Sequence, residues 1–334
     1  MHDDDRTSEA PFPYDPADRP LGVLVGFDGS DQSIQALHYA ARAAQRLDCH
    51  LTVLTAYTES SMIYANLASL PSPPDEAVRE TAAQGVLEGA REELRDYPGE
   101  VDFCTVEGDA AGALVHQSSR AQLAVVGARG RGGFVGRLLG SVSSALPAHA
   151  HCPTVVVPRQ YEIGAGEGAA RFAPIADDAP VVAGVDRSER SEVAALLAAQ
   201  AAHQRGAPLH LVMTMPPPES WGVWYAAMVP EQSVIDQQLE QLTAELETVA
   251  ERLRGHYPEL VVTCEAELAD PATQLLDHSA GAQLVVVGTR GHGRIASALL
   301  GSVSRSVLQR AESPVMVVPD LDLERLGNGS LRPR

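Results

Sequence analysis

The chain has 334 residues, 45% of them apolar, and a formal net charge of −19. That length suits two domains of about 150 residues each, and the negative field opposes binding to nucleic acid and to anionic lipid. All 25 basic residues are arginine, which excludes Walker A NTPases, Schiff-base and pyridoxal phosphate enzymes and protein kinases, because each of these needs a lysine at its working centre.

No run of about 18 apolar residues is present, so no membrane span is expected. Met1 to Asp5 is acidic and is followed by proline-rich sequence. It lacks the basic start and apolar run of a signal peptide, and the expectation is a cytoplasmic protein. Cys49, Cys104, Cys152 and Cys264 are widely spaced. They read as reduced, partly buried thiols rather than a disulfide framework or a zinc site.

In chain order, residues 1–19 read as a flexible tail. A first domain is expected over 20–158. Gly22–Phe27 is an apolar strand ending at Asp28, and Ser30 caps a helix with Ile34, Leu37, Ala41, Ala44 and Leu47 on one face. A second strand spans His50–Ala56, a long helix Asp75–Asp96, a third strand Val101–Val106 and a third helix Ala110–Ser119. Leu123–Val126 is a fourth strand, Gly140 to about Ala150 a fourth helix that contains Pro147, and Thr154–Val157 a fifth strand. Residues 159–178 carry Gly-Ala-Gly-Glu-Gly and isolated prolines and read as a linker.

A second domain is expected over 179–320, followed by a tail at 321–334. It repeats the order of the first. Its long helix carries Ile235, Leu239, Leu242, Leu246, Val249 and Leu253 at alternating steps of four and three, a stripe that suits packing on a core and also a coiled-coil seam. Strands this apolar belong to parallel sheets covered on both faces. Each copy is therefore expected to be an α/β, doubly wound, five-stranded parallel sheet of order 3-2-1-4-5. Its ligand site should lie where that order reverses, between strands one and four.

The two copies share a long spaced motif after strand four. Gly127-x-x-Gly130, nine residues and Gly140-Ser141 recur 161 residues later as Gly288-x-x-Gly291, nine residues and Gly301-Ser302. Such glycines let backbone N–H groups approach an anion, and a helix opening at Gly140-Ser141-Val142-Ser143 or Gly301-Ser302-Val303-Ser304 favours phosphate. Ser141 and Ser143 would add hydroxyl donors. Arg129, Arg131 and Arg137, with Arg290, His292 and Arg294 in the second copy, place positive charge beside these loops.

The G-x2-G-x9-G-S pattern resembles the ATP-binding signature of the universal stress protein family, in its tandem two-domain form. That resemblance covers most of the chain and implies a nucleotide-binding α-hydrolase-like fold with up to two ATP sites, each with Mg2+. It implies that Asp28 and Asp186 sit near adenine and ribose, that Gly26 and Gly184 flank the base, and that Ala56 and Met215 are its apolar contacts. With Gly127, Arg129, Gly130, Gly140, Ser141, Val142 and Ser143, and with Gly288, Arg290, Gly291, Gly301, Ser302, Val303 and Ser304, these form the expected nucleotide-binding set. The resemblance also implies a homodimer, paired through apolar terminal strands such as Thr154–Val157 and Pro314–Val318.

Other readings stay beside this one. The glycine loops can be plain turns, and Asp28 and Asp186 can be turn or helix-entry residues. Gly291-x-Gly293-x-x-Ala296 has a dinucleotide-fingerprint spacing but follows strand four rather than opening the domain. His149, His151 and Cys152 hint at a metal, but the second copy carries Glu312 and Ser313 against the last two, and no metal ligand set is assigned. Trp221–Tyr225 suits either a partner or lid surface or a local apolar cluster. No nucleophile or general base stands out, so no catalytic residue is assigned. The expected function is ATP-dependent regulation through conformation or a protein partner; the alternative is a slow ATPase or a nucleotidyl-transfer enzyme. A nucleotidyl transferase usually adds a histidine-rich phosphate motif near strand one, and Phe27-Asp28-Gly29-Ser30 has none.

Overall fold

A computed structural model describes residues 18–58, 76–131, 139–164, 166–175, 178–217, 232–289 and 300–321. Arg137, Arg290, Gly291, His292, Arg294 and the Trp221–Tyr225 segment lie outside these residues. So does almost all of the expected tails. The chain divides into two compact units, one spanning Arg19–Ile175 and the other beginning, for the described residues, after Ala176.

In the first unit, β1 (Val23–Gly26), β2 (Leu51–Tyr57), β3 (Val101–Glu107), β4 (Leu123–Gly127) and β5 (Thr154–Val157) alternate with α1 (Asp31–Arg46), α2 (Glu76–Glu93), α3 (Ala110–Ser118) and α4 (Ser141–His149). All pairings are parallel, and the order is β3-β2-β1-β4-β5. The second unit repeats this with β6 (Val181–Gly184), α5 (Glu189–His203), β7 (Leu209–Met215), α6 (Gln232–His256), β8 (Val262–Leu268), α7 (Pro271–Ser279), β9 (Leu284–Gly288), α8 (Ser302–Arg310) and β10 (Val315–Val318). Its order is β8-β7-β6-β9-β10, again parallel. Each is the expected doubly wound sheet.

The apolar strands explain the two-sided cover. Val23, Leu24, Val25, Leu51, Val53, Ala124 and Val125 are wholly buried. Helix α1 lies on one face of the first sheet and touches α2, while α3 and α4 touch each other on the opposite face. Small residues let α1 sit close to the strands, since Ala36, Ala40, Ala41 and Ala44 are fully buried. In α6, Ile235, Leu242, Leu246, Ala250 and Leu253 are buried, and the helix packs on β7 and β8. Four of the six stripe residues are therefore buried against the core, while Leu239 and Val249 are half-buried.

Part of the expected linker is packed. Arg42 on α1 is 2% exposed. Its guanidinium donates to the Arg171 carbonyl at 2.7 and 3.1 Å and to the Tyr161 hydroxyl at 2.7 Å. Phe172, in a short 3-10 turn at Gly168–Phe172, stacks on His38 with ring centroids 5.1 Å apart and meets Tyr97 edge-on at 5.3 Å. Segment 159–175 is thus sealed onto α1 by a buried cation and an aromatic plug. Replacing Phe172 with Ala should destabilise the first unit by about 3–5 kcal/mol, the usual cost of emptying a buried aromatic site. Urea unfolding followed by circular dichroism would show it as a lowered midpoint for one of two transitions.

The four cysteines are free. Burial pushes Cys152 up to about 12 and Cys49 up to about 11, so neither is a thiolate at neutral pH.

Candidate nucleotide site

Strands β1 and β4 are neighbours, with Val23, Leu24 and Val25 opposite Leu123, Ala124 and Val125. Beyond their carboxyl ends lies a cleft of about 320 Å³, within the size range of small-molecule sites. Of the residues expected to bind nucleotide in the first copy, Gly26, Asp28, Ala56, Gly127, Arg129, Gly130, Gly140, Ser141, Val142 and Ser143 all line it. Leu54 and Leu114 add an apolar wall that no motif flagged.

Asp28 is the junction of this site. Its Oδ1 accepts from the Ser30 amide at 3.0 Å and the Ser30 hydroxyl at 2.6 Å, and its Oδ2 accepts from the Arg131 amide at 2.8 Å. Ser30 in turn caps α1 by accepting from the Ser33 amide at 3.2 Å. Asp28 is thus both a helix-entry residue and a tie from β1 to the loop after β4. Burial raises its pKa, but hydrogen bonds from Ser30, Arg131 and Ser33 outweigh it and hold the carboxyl below its ordinary 3.8.

The glycines are places of close approach. A Cβ on Gly130 would collide with Asp28 Oδ2, and one on Gly127 would lie 2.6 Å from the Gln32 carbonyl. At Gly26 a Cβ would come within 2.8 Å of the Leu114 side chain. Gly29 has φ +75°, the left-handed region that suits glycine.

The nine-residue loop is closed by its own backbone and one hydroxyl. The Gly140 amide donates to the Ala128 carbonyl at 2.9 Å and to Ser143 Oγ at 2.9 Å, and Ser143 Oγ donates to the Ala128 carbonyl at 2.6 Å. Ser143 is 1% exposed. Its proton is directed into the loop, so this serine braces the cradle, while Ser141 is exposed at the mouth of α4. Gln32 Oε1 accepts from the Arg129 amide at 2.8 Å, a brace that no motif reveals. Helix α4 runs through Pro147 to His149. The missing amide of Pro147 leaves the Ser143 carbonyl without that helical donor.

In the second unit, Gly184, Asp186, Gly288, Gly301, Ser302, Val303 and Ser304 line a cleft of about 870 Å³. Asp186 Oδ1 accepts from the Ser188 amide at 2.8 Å and from the Ser188 hydroxyl. Ser304 Oγ donates to the Gly288 carbonyl at 2.6 Å, and the Gly301 amide to the Thr289 carbonyl at 2.7 Å. Arg290 and Gly291 lie outside the described residues. Met215 lies one step beyond the counterpart of Ala56. Ala56 pairs with Val106, and the corresponding step in the second sheet pairs Thr214 with Glu267. Thr214 and Pro216 line the cleft, whereas Met215 does not. Side chains alternate along a strand, so an offset of one residue turns the side chain to the other face.

The universal stress protein family model matches residues 22–158 and again 179–319. The chain belongs to the universal stress protein family. It is 36% identical over 314 residues to a universal stress protein of Mycobacterium tuberculosis, covering 89% of this chain and 96% of that one. It is 35% identical over 310 residues to one of Mycolicibacterium smegmatis, with the same coverage. Among solved structures, a universal stress protein from Archaeoglobus fulgidus aligns over 90% of this chain and 99% of its own, with a TM-score of 0.61 and 18% identity. That likeness is one of fold.

Two outcomes test this geometry. Ser143→Ala should cost about 0.5–1.5 kcal/mol, because it removes the hydroxyl's hydrogen bonds while the Gly140 amide keeps the Ala128 carbonyl as its acceptor, and should speed hydrogen exchange at Gly140. Asp28 has a depressed folded pKa, so its contribution is present above 3.8 and lost as pH falls through the folded value. The stability gap between the natural protein and Asp28→Asn should therefore be widest near neutral pH and narrow below about pH 4, read from unfolding midpoints across pH.

Proposed function

We propose that this chain is an adenine-nucleotide-responsive regulatory protein that takes ATP with Mg2+ in each of its two clefts. The observation that carries this reading is the juxtaposition, at the β1–β4 switch point, of an ionised carboxylate, a glycine loop and the opening of a helix. Asp28 Oδ2, which accepts one hydrogen bond from the Arg131 amide, keeps a lone pair for a ribose hydroxyl. Gly26, Leu54, Ala56 and Leu114 form an apolar seat for a base. Amides at the start of α4 have no intrahelical acceptor and meet the positive end of the helix dipole, which favours phosphate. Arg129 and Arg131 line the same cleft and offset the charge of a strongly acidic chain. In the second unit Asp186, Thr214, Leu275 and Ser302 line the matching cleft, and Arg305 adds a cation among the described residues.

Regulation rather than turnover is favoured by the committed state of the site's polar groups. Ser143 is spent on the loop and Asp28 on Ser30 and Arg131, so neither is poised as a nucleophile or base. Nucleotide occupancy would then act by shifting conformations or a partner's affinity. No helix among the described residues is long and apolar enough to cross a membrane, and we place the protein in the cytoplasm, with self-association as a homodimer as part of the same reading.

Calorimetry on the nucleotide-free protein should find up to two ATP sites. Gly130→Asp should remove the first, and Gly291→Asp, at the matching motif position, the second. A carboxylate at residue 130 crowds Asp28 and repels phosphate by roughly 4 kcal/mol at about 4 Å and an effective dielectric of about 20, before screening, which is up to about a thousandfold in affinity. Two full sites in the folded double variant would refute the assignment. Turnover should stay far below a typical enzyme rate of about 10 per second; rapid hydrolysis abolished by these substitutions would establish the enzyme reading instead.

A further inference from the structure

We propose that His210, Glu265 and His278 form a binding site for a divalent transition metal of the zinc class, beneath the nucleotide cleft on the face of the second sheet that α7 covers. His210 lies at the start of β7, Glu265 on the neighbouring β8 and His278 in the last turn of α7. Pairing sets His210 opposite Thr263 and Val212 opposite Glu265, so both ligands point to one face, and α7 packs on β7.

His210 Nε2 lies 3.0 Å from Glu265 Oε2, and His278 Nε2 lies 3.3 Å from Glu265 Oε1. One ligand atom from each residue lies within 4.8 Å of the other two. Tetrahedral zinc, with bonds of about 2.0–2.1 Å, spaces its ligand atoms by roughly 3.3 Å. Small side-chain rotations therefore close the set. The imidazole rings are 4.8 Å apart at 60°, so two nitrogens can converge on one point without stacking.

The chemistry of the set fits as well as its spacing. Two imidazoles and one carboxylate are the protein ligands of a zinc site with an open fourth position. The side chains are 17–27% exposed, enough for an ion to enter and keep a water. A supporting shell is in place. The Thr263 hydroxyl lies 2.8 Å from His210 Nδ1, the nitrogen that faces away from Glu265. Gln274 Nε2 donates to Glu265 Oε1 at 2.7 Å. Partners of this kind fix ring orientation and ligand basicity.

Two comparisons within the chain set this cluster apart from ordinary histidine–carboxylate pairs. His38 and Glu93 also meet at 3.2 Å, but Arg171 lies 3.5 Å from the same carboxylate oxygen, a cation where a metal would have to sit. The first unit, with the same fold, carries Thr52, Cys104 and Gln117 at the positions of His210, Glu265 and His278. The fold therefore does not need the triad. Both sets of side chains are compatible with one backbone, and at these positions the second copy, not the first, gathers two imidazoles and a carboxylate.

The test uses the full-length chain, stripped with a chelator, with Zn2+ competed against a chromophoric indicator and Co2+ followed by its visible absorption. The unmodified protein should take up Zn2+ with one equivalent that is lost in His210→Thr/His278→Gln, which installs the residues of the first unit. His278→Gln alone should weaken that equivalent on the order of 100-fold, and Gln274→Ala by roughly tenfold. Co2+ should give an absorption band in the unmodified protein that the double variant lacks. Circular dichroism checks folding of each variant, and the single substitutions at the end of α7 carry the comparison if the double variant does not fold. Equal Zn2+ uptake by the folded variants, or no Zn2+ uptake by the unmodified chain, would overturn the proposal and leave the triad as a hydrogen-bonded brace between α7 and the sheet.

Discussion

The Asp28 carboxylate joins the end of β1 to the loop after β4, and the first cleft depends on that tie. One oxygen turns the chain into α1 through Ser30; the other holds the Arg131 amide. The oxygen that holds Arg131 leaves no room for a side chain at residue 130. Glycine is thus required there by contact with a neighbouring strand's carboxylate, quite apart from any ligand. The same contacts hold the acid's pKa below its ordinary value in a half-buried place, where desolvation alone would raise it.

A second constraint acts at the far end of the loop. Ser143 and Ser304 are buried hydroxyls whose protons go to carbonyls at the ends of β4 and β9. They hold the opening turns of α4 and α8 against the strands, so that Ser141 and Ser302 come to the cleft. A serine in a phosphate-binding motif can thus serve the ligand indirectly, by fixing where the helix begins.

The two copies share this frame and differ in what they hang on it. Gln32, which accepts from the Arg129 amide, has Arg190 at its counterpart, paired with Asp320 at 2.6 Å. Ala56 has Thr214. Beneath the cleft, Thr52 has His210, and the second unit gathers polar ligands where the first does not. On β7, His210 and Thr214 lie on one face, separated by about 13 Å at about 3.3 Å per residue. Helix α7 reaches along that span, with Leu275 in the cleft and His278 in the triad.

Strand and helix types, the duplicated five-stranded order, ten of the residues that line the first cleft and seven of those that line the second were legible from the amino-acid sequence. Apolar runs of four to seven residues, helix-spaced alanines and leucines and a glycine spacing repeated 161 residues apart are local signals, and parallel α/β chains have few ways to wind. Thr214 rather than Met215 lines the second cleft because the face of a strand depends on register, which a one-residue shift reverses. The roles of Ser143 and Gln32 were hidden because a hydroxyl or amide reveals its partner only when two distant segments meet. His210, Glu265 and His278 are separated by up to 68 positions in the chain, with no local spacing to mark them. Sheet pairing and the return of α7 bring them together, and the packing of segment 159–175 on α1 likewise depends on Arg42 and Phe172 finding partners far away in sequence. Periodicity determines which elements form, whereas convergence of side chains from different elements is decided only when the sheet is assembled.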